Sequence, residues 1–229
     1  MNIVFPEFQN FSTKVVFYGI PYNAASSIHN HLGLANVIKQ EEGEIQSNSK
    51  FEFFPYFCLK PKELEKYAPS ISISDYFSFC VVRDPWDRVV SMHKSASSDA
   101  NNTHLLKGVD FLYFCEVLKD RKNEKDFLFS CDQYDWIDYS KKSPSLLRFE
   151  SLHDDFNKMI KEINLISTSP NLPNTTKRKR EHYSNYYNSE SKKIISEVFE
   201  RDIDAFKYSF IDQDPDSLTP RGSKGFLRI

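Results

Sequence analysis

The chain lacks long apolar runs, and this absence argues against a membrane protein. Among its 229 residues, no hydrophobic stretch reaches the length needed to cross a bilayer. The N-terminal segment MNIVFPEFQNF has no basic region followed by an apolar core, so it is unlike a secretory signal peptide. We therefore expect a cytoplasmic protein that does not associate with membranes.

Cysteine is scarce, and the charges nearly balance. The four cysteines, Cys58, Cys80, Cys115 and Cys131, are widely spaced and form no CxxC pair, which favours neither a zinc site nor a disulfide framework. We expect reduced thiols and no bound metal. The formal net charge of -2 gives no global attraction to nucleic acid or to an anionic membrane, so any anion has to bind at a local cluster.

The chain does have enough apolar material for a substantial core. Hydrophobic residues make up 40% and aromatic residues 15% of the sequence, which suits a single globular domain. A strand at 14–20, a turn of small residues and a helix form the opening of a βαβ unit, so we predict an α/β fold. The polar stretch 95–104 is predicted to be a surface loop. Further strands are predicted at 75–83 and 145–149, and helices at 108–120, 152–163 and 194–206.

The segment FCVVRDPWDRVVSMHK, at residues 79–94, carries the clearest candidate site. Its apolar start is typical of a strand buried on both faces, and the later Asp-Pro pair suits a helix cap and a first helical turn. Arg83 therefore lies at the carboxyl end of a strand, where open α/β sheets bind ligands, and Ser91 follows about two turns into the helix. These side chains could hold a phosphate by charge-assisted hydrogen bonds. Alternatively, Arg83 pairs with a carboxylate such as Asp87.

A second candidate anion site follows the first predicted strand, in GIPYNAASSIHNHL. Ala24 and Ala25 are small enough for a ligand to approach the backbone, and the hydroxyls of Ser26 and Ser27 can donate hydrogen bonds. Amides at the start of a helix and the positive end of its dipole attract phosphate or sulfate. Small residues at such a turn also occur for close packing alone. The glycines and the Lys-Ser/Thr ending of a Walker A loop are absent, which disfavours ATP hydrolysis.

Together these segments resemble the carbohydrate sulfotransferases of the second sulfotransferase group, which use 3′-phosphoadenosine-5′-phosphosulfate (PAPS). The segment IPYNAASSI is similar to their first motif, and FSFCVVRDPWDRVVS matches their second. Downstream, LLRFESLHDDF and the ending VFERDIDAFKYSF are similar to two further family segments, so the resemblance covers about residues 14–210. It implies a single sulfotransferase-like domain at 1–210 and a polar tail at 211–229. The implied fold is α/β and P-loop-like, with a central, mainly parallel sheet flanked by helices.

The resemblance also implies which residues bind the donor. It places the 3′-phosphate of PAPS on Arg83 and Ser91, and the 5′ phosphosulfate over the first turn. The turn residues assigned in this way are Pro21, Tyr22, Asn23, Ala24, Ala25, Ser26 and Ser27.

A basic loop and a second arginine have less definite roles. The loop at 177–180, which begins with Lys177 and Arg178, would close over the nucleotide, with Tyr183 or a nearby aromatic ring against adenine. An equally good interpretation of this loop is a solvated charge run. Arg88 could share a helix face with Ser91, and a structural salt bridge to an acidic neighbour is at least as good an interpretation.

The sequence departs from the family pattern at two catalytic positions. Tyr22 stands where family members usually carry a lysine that neutralises charge on the leaving phosphate. A histidine that would act as general base is replaced in the segment YFCLKPKEL, where Cys58 occupies its position and Lys60 or Lys62 could lower the thiol pKa or supply positive charge. Cys58 and Lys60 are therefore the catalytic candidates. Three histidines could also approach the site, although each is more typical of a packing or surface residue: His29, His31 and His93.

Two functional hypotheses follow from the resemblance. The first is a PAPS-dependent sulfotransferase that moves a sulfuryl group to a hydroxyl of a carbohydrate or glycan precursor, with an altered catalytic set and without a metal. The second is a protein of the same fold that binds nucleotide or glycan without turnover. A kinase is disfavoured because the Walker lysine and an obvious magnesium-binding pair are absent.

Overall fold

The computed structural model describes residues 2–4, 15–25, 27–28, 77–97, 106–124, 129, 131–137, 143–163 and 181–212. The chain divides into two compact units. The first comprises Met1–Val82, Asp135–Lys177 and Lys224–Ile229, and the second comprises Arg83–Tyr134 and Arg178–Ser223.

Within the described ranges, the first unit is built on a sheet of four strands. Its strands, in spatial and sequence order, are β1 (Asn2–Val4), β2 (Val15–Tyr18), β3 (Phe77–Val82) and β4 (Ser145–Arg148). β1 pairs antiparallel with β2, whereas β2 with β3 and β3 with β4 pair in parallel. The predicted α/β class with a central, mainly parallel sheet is therefore confirmed. The strand predicted at 14–20 is β2, and it ends earlier than predicted, at Tyr18. Ile20 already belongs to a turn, because its carbonyl accepts a hydrogen bond from the Asn23 amide at 3.2 Å.

Burial explains why β2 and β3 form. All four residues of β2 are buried, as are the last five of β3, which is the pattern of parallel strands covered on both faces. Helix α3 (Leu152–Glu162) follows β4 after a short 3-10 turn at Phe149–Ser151. Phe79 stacks on Phe17 with ring centroids 4.9 Å apart and meets Phe156 of α3 edge-on at 6.5 Å. The apolar spacing predicted for α3 thus belongs to the core of this unit.

The described residues of the second unit contain four α-helices: α1 (Pro85–Ser97), α2 (Phe111–Asp120), α4 (Ser189–Val198) and α5 (Glu200–Phe206). The predicted cap of α1 is confirmed, because the Asp84 carboxylate accepts hydrogen bonds from the amides of Trp86 and Asp87 at 2.9 and 3.2 Å. The predicted loop at 95–104 is wrong at its start. Residues 95–97 continue α1, since Ala96 is buried and holds this turn against the interior.

The apolar stripe at 194–206 forms two helices instead of one. The chain leaves helical geometry at Phe199, whose φ is -114° and ψ is 29°. The Phe199 amide still bonds to the Ile195 carbonyl, and the Ile203 amide to the Phe199 carbonyl. The helical hydrogen bonds continue on both sides of Phe199, so the apolar residues keep their helical spacing across the break. That spacing therefore does not indicate that the helix is divided.

None of the helices in the described ranges is long and apolar enough to cross a membrane.

Candidate functional site

The candidate residues fall in both units. The turn 21–27 belongs to the first unit, whereas Arg83 and Ser91 belong to the second.

The turn after β2 has an unusual backbone. Tyr22 and Ala24 have φ values of 68° and 62°, and Asn23 between them does not have a positive φ. Left-handed geometry costs a residue with a side chain about 1 to 2 kcal/mol. Two such positions within three residues therefore place considerable backbone strain in this turn. A backbone in which the sign of φ alternates turns successive amides toward one concavity, which is a common anion-binding arrangement.

A helix begins at the end of this turn. Ala25, Ser27 and Ile28 are helical, and the Ile28 amide donates to the Ala24 carbonyl at 3.1 Å. The first amides of a helix have no acceptor within the helix and attract anions. Ala25 and Ser27 are half-buried, while Ser26 lies outside the described residues.

Asn23 fastens the turn to the sheet. Its side chain is buried, and its Nδ2 donates to the carbonyl of Val81 in β3 at 2.7 Å. The side-chain nitrogen is therefore used inside the fold, and the backbone amide donates to the Ile20 carbonyl at 3.2 Å, so Asn23 supports the turn through both groups. Pro21 is buried, and Tyr22 is half-buried.

In the second unit, Arg83 is a buried cation with an acidic partner. Its side chain is 3% exposed, and Nε and Nη2 lie 2.8 and 2.7 Å from Asp87 Oδ2. The Arg83–Asp87 ion pair, which the sequence analysis gave as the alternative to phosphate binding, is thus present. Its presence does not test the phosphate role, because a guanidinium has five N–H donors. Ser91 is half-buried in α1.

The backbone of Arg83 is held by a residue that sequence reasoning missed. Gln133 Oε1 accepts a hydrogen bond from the Arg83 amide at 2.9 Å, and Gln133 Nε2 donates to the Arg83 carbonyl at 2.8 Å. Asp202 accepts hydrogen bonds from the amides of Gln133 and Tyr134 at 2.8 and 2.9 Å. Fifty positions separate Arg83 from Gln133 in the chain. No local pattern marks such a contact.

Arg88 joins the same buried network. Its Nη1 donates to the Cys131 carbonyl at 3.0 Å and lies 4.0 Å from the Asp202 carboxylate. The structural salt bridge is therefore the interpretation of Arg88 that the structure confirms. Burial raises the pKa of Asp202 to about 6, although the Arg88 charge and the amides of Gln133 and Tyr134 act in the opposite direction.

Tyr183 lies in an aromatic cluster next to the cap of α1. Its ring stacks on His182 at 4.5 Å, and its hydroxyl accepts a hydrogen bond from the Ile211 amide at 2.8 Å. Burial raises the pKa of Tyr183, and the negative charge of Asp84 adds to this rise. Tyr187 in the same cluster donates to the Trp86 carbonyl at 2.9 Å. The role of Tyr183 against adenine stays a prediction.

His93 is a packing residue, which is the role that the sequence analysis gave as the more typical one. Its Nε2 lies 2.8 Å from the Val109 carbonyl, and its ring lies 5.3 Å from both Phe111 and Phe114. The other predicted site residues lie outside the described ranges, so the predictions for them stay open. These are Ser26, His29, His31, Cys58, Lys60, Lys62, Lys177 and Arg178.

Three of the cysteines lie in the described ranges, and none of the three forms a disulfide: Cys80, Cys115 and Cys131. Burial raises the pKa of the Cys80 thiol, and it raises that of Cys115 to about 12, so neither is a reactive thiolate near neutral pH. Within the described ranges, no group of three or more His, Cys, Asp or Glu side chains is arranged to hold a metal ion.

Comparison with known proteins identifies the class. The sequence model of the sulfotransferase family matches residues 8–209, which is most of the chain. The chain therefore belongs to the sulfotransferase family, and its α/β sheet agrees with that fold. Comparison with curated proteins and with solved structures finds no match. Family membership supports sulfuryl transfer from a sulfonate donor in general terms.

Proposed function

We propose that this chain is a PAPS-dependent sulfotransferase that moves a sulfuryl group to a hydroxyl of a carbohydrate or glycan precursor. Family membership over residues 8–209 supports the transfer. The carbohydrate acceptor follows from the resemblance of the motifs at 20–28 and 77–91 to carbohydrate sulfotransferases. The observation that carries the proposal is the strained turn, in which φ is positive at both Tyr22 and Ala24 directly before a helix begins.

The residues present fit the anionic groups of such a donor. Backbone amides of the turn, the Arg83 guanidinium and the Ser91 hydroxyl are all hydrogen-bond donors, which phosphate and sulfate oxygens require. The proposal assigns the 5′ phosphosulfate to the turn 21–27 and the 3′-phosphate to Arg83 and Ser91. Lys177 and Arg178 are proposed to add positive charge near the nucleotide.

The chemistry depends on charge control at the leaving phosphate. When bound, PAPS supplies an activated sulfuryl group. The turn amides orient the phosphate and stabilise the negative charge that develops on it. Tyr22 cannot provide the cation that the family motif places there. Lys60 is our candidate for that role, and the Cys58 thiolate, with its pKa lowered by Lys60 or Lys62, is our candidate for removing the proton of the acceptor hydroxyl.

A protein that binds nucleotide or glycan without turnover is the second candidate. The observation that favours it is Tyr22 in place of a lysine. A preorganised group that stabilises developing charge is worth about 10² to 10³ in rate, so its loss without replacement would leave little activity. Turnover of PAPS with a panel of glycans separates the two candidates, since only the enzyme releases 3′-phosphoadenosine-5′-phosphate (PAP) faster in the presence of an acceptor.

The donor assignment is tested by calorimetric titration with PAP and with ADP. PAP should bind far more tightly than ADP, because only PAP carries the 3′-phosphate assigned to Arg83. Arg83→Ala should cost roughly 1.5 to 3 kcal/mol of PAP affinity, which is the range for hydrogen bonds to charged groups, and should leave ADP affinity nearly unchanged.

Asp87→Asn is the matched control for Arg83→Ala. Both variants break the same ion pair, but only Arg83→Ala removes the proposed phosphate ligand. PAP affinity of Asp87→Asn should stay within about threefold of the wild type, because the asparagine side-chain oxygen can still accept a hydrogen bond from the Arg83 guanidinium and keep it in place. Equal affinity of the wild type for PAP and ADP would exclude the assignment of the 3′-phosphate to Arg83. Equal losses in Arg83→Ala and Asp87→Asn would show that Arg83 matters only through its ion pair.

A further inference from the structure

The backbone of Arg83 is held on both sides by one distant side chain. Gln133 bonds both its amide, at 2.9 Å, and its carbonyl, at 2.8 Å. A side-chain amide that uses its acceptor and its donor on one residue fixes that residue's position and the orientation of its peptide groups. Gln133 is fully buried, so water does not compete for either bond.

Gln133 is itself held at its own backbone. The Asp202 carboxylate, which is also fully buried, accepts from the amides of Gln133 and Tyr134 through its two oxygens. Arg88 lies 4.0 Å from this carboxylate and compensates its charge. A chain of buried hydrogen bonds therefore runs from α5 through Gln133 to the peptide groups that precede α1.

The side chain of Arg83 has a separate support. Asp87 holds the guanidinium at 2.7 Å, and the Asp84 carboxylate caps the helix that carries Asp87. Two sets of contacts thus support this guanidinium: Asp87 acts on its head, and Gln133 acts on its backbone. Only the second set depends on residues far away in the chain.

We propose that Gln133 is a positioning residue for donor binding, which sets the place of Arg83 through its two backbone hydrogen bonds and is held in turn by Asp202. This inference rests on the proposed function, because it takes Arg83 as the ligand of the 3′-phosphate. Gln133 does not bind the nucleotide itself. Through Arg83, it sets how much more tightly the protein binds a nucleotide with a 3′-phosphate than one without it, and hence the preference for PAP over ADP.

The test is a double-mutant cycle on nucleotide affinity. Gln133→Met keeps the side-chain length and removes both hydrogen bonds. It should weaken PAP binding roughly tenfold, the loss expected when a charge-assisted hydrogen bond is misaligned, and should leave ADP affinity unchanged. In the Arg83→Ala background, the same substitution should change PAP affinity by less than about twofold, since contacting residues that act through one another are not additive.

A merely structural role gives different results. If Gln133→Met lowers PAP and ADP affinity equally, or if its effect persists in the Arg83→Ala background, the inference is wrong. Ser191→Ala is the control for general destabilisation, because it removes the buried hydroxyl that accepts a hydrogen bond from the Asn188 amide at the start of α4, and Ser191 does not contact Arg83 or Gln133. It should leave PAP affinity unchanged.

A second variant covers a failure of Gln133→Met to fold. Gln133→Asn keeps a polar amide but is one methylene too short to reach both backbone groups, and the same selective loss of PAP affinity is expected. Failure of the proposed function is distinguishable from failure of this inference. If the wild type does not prefer PAP, both fall. If the wild type prefers PAP, Arg83→Ala abolishes that preference and Gln133→Asn matches the wild type, only the inference about Gln133 falls.

Discussion

Asp202→Asn tests the buried network through the dependence of stability on pH. The Asp202 carboxylate is fully buried, accepts two backbone hydrogen bonds and lies 4.0 Å from Arg88. Burial disfavours its charged form and raises its pKa to about 6 from 3.8, against the opposing influence of Arg88 and the two amides. Nearby Asp132 adds a smaller rise. Asparagine has nearly the same shape and carries no charge at any pH.

The direction in which pH changes the free energy of unfolding follows from the linkage between protonation and folding. The folded-state pKa lies above the unfolded one, so the folded protein holds this proton more tightly. The stability contributed by Asp202 is then fully present below about pH 4 and is lost as pH rises through about 6. At 1.36 kcal/mol per pKa unit, a shift of this size corresponds to roughly 3 kcal/mol.

The assay is equilibrium urea unfolding of the wild type and Asp202→Asn at several pH values between 3.5 and 8. The free energy of unfolding of the wild type minus that of the variant should fall by roughly 3 kcal/mol between pH 4 and pH 7. Asp204→Asn, which removes an exposed carboxylate of the same helix, is the matched control and should stay within about 0.5 kcal/mol of the wild type. A difference that is flat, or that grows with pH, would refute the reasoning. It would show that the lowering of the Asp202 pKa by Arg88 and the two amides balances or exceeds the rise caused by burial.

Two further predictions concern the turn after β2. If no other cation takes the place of the missing lysine, Tyr22→Lys should raise PAPS turnover, including slow hydrolysis by water, by up to about 10² to 10³ while PAP affinity stays within about tenfold, because the added cation acts mainly on the transition state. PAP release checks this. A neutral or harmful Tyr22→Lys together with an inactive Lys60→Ala would place the cation on Lys60. Ala24→Gly should raise the free energy of unfolding by up to about 1 kcal/mol, because glycine accepts positive φ without strain. Ala25→Gly, in the helix, should lower it by about 1 kcal/mol. The same sign for both in urea unfolding would contradict the turn geometry.

Local rules in the sequence predicted much of the scaffold. The apolar run into β3, the Asp-Pro pair after it and the spacing in α3 each depend on residues within a few positions of one another. The cap by Asp84 and the ion pair from Arg83 to Asp87 are also local, since the second spans a single helical turn. These features followed from the sequence because neighbours in the chain decide them.

The features that local rules missed depend on distant parts of the chain. Asp202 reaches Gln133 across 69 positions, and neither residue has a neighbour that marks it as special. Asp202 does lie in VFERDIDAFKYSF, which resembles a family segment, but a resemblance assigns no hydrogen-bond partner. The strained φ values of Tyr22 and Ala24 were equally invisible, since neither tyrosine nor alanine favours that geometry.

The burial of Arg83 determines how its two interpretations relate. A guanidinium that is 3% exposed has lost most of its contact with water, and a charge in that state needs a partner, which Asp87 supplies at 2.7 Å. Because the pair is neutral as a whole, a phosphate that binds Arg83 must share the guanidinium with Asp87 or displace it. The Asp87 side chain is 17% exposed, so it can regain some water if it is displaced. Under the proposed function, the ion pair holds the guanidinium in place before the nucleotide arrives. The structural pair and the phosphate contact are then successive partners of one side chain, and Asp87→Asn should alter the stability of the protein more than its affinity for PAP.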